Sequence, residues 1–70
     1  MIPLSAADAG ESFVIKKVVG NAETKKHLED LGFVAGGEVT VISEISENLI
    51  VSVKESRVAI SRETAMKIMV

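Results

Sequence analysis

The run HLEDLGFVAGGEV, residues 27 to 39, restricts the fold of this chain more than any other. It begins as an amphipathic helix, stops at Gly32-Phe33, passes Gly36-Gly37 and emerges as a strand at Glu38. Gly32 stands one residue past the last periodic leucine, where a helix C-terminus favours a positive φ. Phe33 follows at the position that packs back on the last helical turn, against Leu28. Gly36-Gly37 supplies a second tight turn, because glycine reaches positive φ without steric cost. A phosphate-binding loop needs the opposite order: a strand, then glycines, then a helix N-terminus whose free N–H groups face the anion. No Gly-Lys-Ser/Thr is present either. The glycines read as backbone punctuation and not as a nucleotide site.

Around that pivot there is room for one small domain, residues 1 to 70. A chain of this length buries only about 60% of its unfolded surface, so each apolar residue counts. Hydrophobic residues make up 47% of it, and 17 are Val or Ile, which suit a pleated, half-buried surface. The bias points to a mostly β domain. Cysteine is absent, which excludes a disulfide scaffold, a thiolate metal site and a Cys nucleophile, and fits a cytosolic protein. The net charge is −2 and the only aromatics are two Phe. A nucleic-acid binder shows a basic patch and stacking aromatics, and a reader of proline-rich peptides needs an aromatic-lined groove; this composition supplies neither. The N-terminal MIPLSAADAG lacks the charged and apolar regions of a signal peptide. No apolar run approaches the roughly 20 residues of a membrane span.

The pattern predicts about five short antiparallel strands, one helix and two helical turns. Ser5 caps a turn over 6–9 that Gly10 stops. Residues 11–19 read as a strand with Phe13 and Ile15 on one face and Val14, Lys16 and Val18 on the other. Val18-Val19 breaks the alternation, which predicts a bulge or a sheet-crossing bend there. Asn21 caps a helix over 22–31, with Thr24, Leu28 and Leu31 on its apolar face. Residues 38–46 alternate, Val39, Val41 and Ile45 inward, with Ile42 the exception. Turns at Glu47-Asn48 and Glu55-Ser56 separate the strands carrying Leu49, Val51, Val53 and then Val58, Ile60. Ser61 caps a turn near 62–66, and Ile68 to Val70 form a last short strand. Short strands with tight turns describe a small, strongly bent sheet closing on itself.

These residues carry a resemblance to a known family. LEDLGFVAGGEV, residues 28 to 39, resembles the Leu-x-x-Leu-Gly-Phe/Met-x-x-Gly-x-x-Val signature of the ferrous iron transport protein A (FeoA) family. Leu4-Ser5 before Gly10 is similar to that family's opening. Val58-Ala59-Ile60 followed by Glu63, Ala65, Ile68 and Val70 is similar to its close. The hairpin at Glu55-Ser56 lacks the family's usual glycine, and Ser46-Glu47-Asn48 lacks its Gly-Asp-Pro-type residues. The resemblance implies an SH3-like barrel and a small cytoplasmic accessory protein of bacterial ferrous iron uptake. Such a protein acts as an interaction module on the cytosolic GTP-binding domain of a ferrous iron transporter and modulates it. The alternative it implies is a self-associating or regulatory SH3-like domain, related to the C-terminal domain of iron-dependent repressors.

Site candidates follow from residue types. Glu23, His27 and Asp30 fall on one helix face, and carboxylate and imidazole ligands suit Fe²⁺ or Zn²⁺. Three flexible side chains on an exposed helix are more often a solvated face, and structural zinc is four-coordinate. The reading is therefore no resident metal and no cofactor, with these three as the metal candidates. Lys25 and Lys26, with Lys16 and Lys17, are either solubilising charge or a surface that steers an acidic partner or an anionic membrane. Leu31, Phe33 and Val34 form an apolar corner; core packing is the plainer reading and a docking patch the functional one. Lys25, Lys26, Leu31, Phe33 and Val34 are thus the expected partner-binding set. Catalysis is not expected: the serines have only one possible histidine partner, no Gly-x-Ser-x-Gly elbow surrounds any of them, and no carboxylate pair stands out. The expected partner is a protein, not nucleic acid, without direct membrane insertion, and the reading leaves room for a weak homo-oligomer.

Overall fold

The computed structural model describes all 70 residues. Six strands form two antiparallel sheets, accompanied by a single helix of more than one turn. β1 (Ser12–Val14), β3 (Glu38–Ile45), β4 (Asn48–Val53) and β5 (Ser56–Ser61) make a four-stranded sheet in the order β1-β3-β4-β5. β2 (Lys17–Val18) pairs with β6 (Ile68–Met69) in a second, two-stranded sheet. Helix α1 (Ala22–Leu31) joins the two, and the single turn α2 (Arg62–Ala65) leads from β5 to β6.

The mostly β fold with a helix over 22–31 forms as expected, but one strand becomes two. The predicted strand over 11–19 switches sheets at Ile15-Lys16, not at Val18-Val19. Ile15 N–H donates to the Gly37 carbonyl (2.8 Å), on the β3 side, whereas Lys16 N–H donates to the Met69 carbonyl (2.8 Å), on the β6 side. The change of partner turns Val18 inward, where it packs against the core beside the buried Ile15. The first helical turn is also displaced. A 3₁₀ turn forms at Leu4–Ala6, with Pro3 and not Ser5 before it, instead of at 6–9. Pro3 holds φ at −70°, and starting there sends Leu4 and Ala7 into the core.

The alternation exception at Ile42 is a β-bulge: the β3–β4 register shifts between Val41 and Ser43. Beyond it the faces exchange. Glu44 lies opposite the buried Leu49, and Ile45, expected inward, is 60% exposed. The re-aimed Glu44 meets Arg62 of α2 in an ion pair. The two hairpin tips sit one residue earlier than predicted, at Ser46-Glu47 and Lys54-Glu55, since Ile45 pairs with Asn48 and Val53 with Ser56. Ser61 caps α2 as predicted, its Oγ accepting from Thr64 N–H (3.1 Å).

Fourteen apolar residues form one buried cluster, drawn from β3 to β6, both helices and the connecting segments, with Phe13 of β1 and Val18 of β2 packed against it. No polar or charged residue is buried. That leaves every ionisable group in or near solvent, so any functional chemistry must be sought at the surface.

Candidate functional site

Asn21 Oδ1 accepts from Thr24 N–H (2.8 Å) and starts α1, as an N-cap should. The other end closes in a Schellman arrangement: Gly32 N–H donates to the Glu29 carbonyl (2.9 Å) and Phe33 N–H to the Leu28 carbonyl (2.9 Å). Gly32 takes φ +108°, and Leu28 and Phe33, both 1% exposed, sit in the same core. Gly36 N–H donates to the Ile15 carbonyl (2.8 Å), and Gly37 N–H to the Val34 carbonyl (2.9 Å). All three glycine N–H groups of this segment are therefore spent inside the protein. None is left to cradle a phosphate, which agrees with the reversed order of helix and strand in the sequence.

The turn from α1 into β3 stands beside β2 and leaves a groove of about 340 Å³ between them. Val18, Phe33, Val34 and Ala35 supply its apolar lining, and Lys25 and Glu29 its polar rim. Phe33 is a core residue that floors the groove; Val18 and Val34 are half-buried, and Ala35 is exposed. On the opposite flank of α1 a broader polar concavity is lined by Asn21, Glu23, Thr24, Lys26, His27 and Asp30, closed by Thr64 and Lys67.

The expected partner-binding residues thus separate. The structure brings Lys25, Phe33 and Val34 together in the groove. Lys26 lies across the helix in the polar concavity, and Leu31, 36% exposed, lines neither. Helical geometry explains the split, because Lys25 and Lys26 point about 100° apart. The three metal candidates Glu23, His27 and Asp30 do share the polar concavity, yet no three His, Cys, Asp or Glu side chains stand close enough to hold one ion. Three groove residues, Val18, Glu29 and Ala35, stand outside the expected partner-binding set. Glu29 is legible afterwards, one turn beyond Lys25 on the same face. Val18 is not, because only the β2–β6 pairing carries it to the helix.

The comparisons with known proteins give one consistent answer. The FeoA domain family model matches residues 2–70. A Methanocaldococcus jannaschii protein, named as a candidate Fe(2+) transport protein A, is 37% identical over 70 residues, which cover all of this chain and 85% of that protein. Stenotrophomonas maltophilia FeoA, solved in complex with zinc and described as a procaryotic SH3 domain protein, superposes with a TM-score of 0.86. It is 28% identical, over 99% of this chain and 88% of its own. A manganese-dependent transcriptional repressor shares the fold alone, with a TM-score of 0.83 and 14% identity, over 94% of this chain and 38% of the repressor. The two antiparallel sheets and their helix are thus an SH3-like arrangement.

Proposed function

This chain belongs to the FeoA domain family, and from that premise we propose that it is a cytoplasmic accessory protein that docks on the GTP-binding domain of a ferrous iron transporter. The family's association with ferrous iron transport supports the process, and the M. jannaschii relative bears that name over the whole of this chain. The observation that carries docking is the groove between α1 and β2, where an apolar lining stands open beside Lys25. Exposed apolar concavities on small domains are where protein partners anchor. The reading needs no catalytic group and no resident metal. It uses iron only as the transporter's cargo. No helix is long and apolar enough to cross a membrane, so the chain meets the transporter from its water-facing side on this reading.

Amide NMR spectra of the labelled protein, recorded while the transporter's GTP-binding domain is added, test the proposal. Shifts clustered at Val18, Lys25, Glu29, Val34 and Ala35 are expected. Shifts confined to other faces, or none at high micromolar partner with either GDP or a GTP analogue present, overturn it. The second reading is a self-associating or regulatory SH3-like domain, suggested by the fold shared with the manganese-dependent repressor. Light scattering separates the two: a concentration-independent monomer supports docking, and a stable dimer or ring supports self-association.

A further inference from the structure

Charge is divided unevenly between the two sides of the molecule. β2 and β6 pair with each other, and Gly20, at the end of β2, sits against Thr24 of α1 and Lys67 beside β6. This layer carries Lys16, Lys17, Lys25, Lys26 and Lys67, five of the eight basic residues of the chain. Only Glu23, Glu29 and Asp30 of the ten acidic residues share it. The layer therefore has a net charge of +2. The rest of the chain holds seven acidic residues against Lys54, Arg57 and Arg62, a net −4, and the two parts give the −2 of the whole.

The groove opens on the positive layer. Four of its six lining residues are apolar; Lys25 and Glu29 at its rim offset each other, so the positive field comes from the other lysines of the layer. Lys16 precedes Val18 by two residues and is exposed. A basic surface around an apolar socket complements a partner with the opposite arrangement. Two other anionic surfaces fit less well. Nucleic acid needs stacking platforms, and both phenylalanines are spent on the core, Phe33 within it and Phe13 packed against it. A bilayer needs a cluster of protruding apolar residues, and the large exposed ones are dispersed: Leu31 ends α1, Ile2 pairs with Val70 beside β6, Met66 follows α2, and Val14, Ile42 and Ile45 lie on the four-stranded sheet.

We infer that the groove between α1 and β2 takes an acidic protein segment that presents one aliphatic or aromatic side chain to Val18, Val34 and Ala35, beside Lys25 in the lysine-rich layer. The inference rests on the docking reading above and names the chemistry of the partner. Long-range attraction to the five lysines steers the segment in, and burial of its apolar side chain holds it.

The test has three arms. The first is independent of the transporter. A short peptide with one leucine flanked by aspartates and glutamates is titrated into the labelled protein, beside a counterpart whose acids are replaced by lysine. Shifts at Val18, Lys25, Val34 and Ala35 with the acidic peptide alone are expected, weakening as salt rises. No shifts up to several millimolar acidic peptide, or equal shifts with the lysine counterpart, overturn the inference. In the second arm the GTP-binding domain is titrated into Lys25→Glu and Arg57→Glu variants, which change net charge equally on opposite sides. Lys25→Glu is expected to weaken binding about fivefold at low salt, and Arg57→Glu to leave it unweakened. Equal effects overturn the inference. In the third arm the protein is sedimented with vesicles of phosphatidylglycerol and phosphatidylcholine. Binding that Lys25→Glu abolishes would make the layer a membrane surface and overturn a protein partner. If the GTP-binding domain leaves the wild-type spectrum unchanged, the docking reading falls, and the peptide arm still decides the inference.

Discussion

Gly32 is the residue on which the helix-to-strand turn depends. Its φ of +108° lies where an L side chain is strained, and a Cβ there would meet Lys54 Cδ and Val53 Cγ2 at 3.3 Å each. Gly32→Ala is therefore expected to lower stability by about 1–2 kcal/mol, read as a lower urea midpoint at unchanged slope. An unchanged midpoint would mean that the left-handed cap contributes nothing. Glu55 presents the opposite case. Lys54 and Glu55 hold φ of +49° and +65° at the tip of the β4–β5 hairpin, a geometry that selects asparagine and glycine. Glu55→Gly is expected to raise the midpoint, by about 0.5–1 kcal/mol, and a fall would refute the strain. His27 supplies a third expectation. It shares an open polar concavity with Glu23 and Asp30, but no three ligating side chains converge. Stoichiometric Fe²⁺ added under anaerobic conditions should leave the His27 ring signals in place; broadening or shifts at one equivalent would establish a site that the geometry does not supply.

Elements show which kinds of sequence information survive into three dimensions. Helix α1 was legible from end to end, because both boundaries are local chemistry: Asn21 accepts from Thr24 N–H, and Gly32 closes the last turn with Phe33 behind it. Asn21→Ala is expected to cost about 1 kcal/mol, measured by denaturant melting, and helical content should fall at the N-terminal turn. A loss below experimental error would mean that tertiary packing alone fixes the helix start. β4 was legible for a different reason, since it is central and its inner face follows the period of two without interruption through Leu49, Val51 and Val53. β3 was legible only to its bulge. The break at Ile42 was visible as a fault in alternation, but a fault does not say that every later residue exchanges faces; the shifted pairing with β4 does. The strand over 11–19 failed at the same level. Its division at Ile15-Lys16 is dictated by which strand each N–H reaches, Gly37 for one and Met69 for the next, and those partners lie far along the chain.

At the scale of the molecule, the groove and the core are two consequences of one connection. Ile15 lies buried where the chain passes from one sheet to the other, tied to Gly36 and Gly37 through both its N–H and its carbonyl. That clasp sets β2 next to the turn after α1 and so forms the groove. Lys25 could be named from its basic pair and Val34 from the apolar corner after Leu-Gly-Phe, and both line the groove, whereas Val18 depended on this long-range closure. The closure also makes the small domain fragile at one place. β6 is only two residues long, yet it pairs with β2 on one side and bridges to Pro3 on the other, while Ile2 and Val70 exchange hydrogen bonds of 2.9 and 2.8 Å. Ile68 is fully buried, and together with Leu4 and Val70 it holds both ends of the chain to the core. A domain of this size has on the order of 5 kcal/mol of stability, and truncating a buried isoleucine removes roughly 3 of them. Ile68→Ala is accordingly expected to leave a detectable unfolded population at room temperature, seen as a second set of amide signals in random-coil positions. Met66→Ala, two residues earlier and 57% exposed, provides the control and should remain fully folded. If both variants keep a single native spectrum and similar midpoints, β6 is an ornament on a core that closes without it. If only Ile68→Ala unfolds, the groove and the fold share the same closing strand, and no substitution that loosens it can test docking alone.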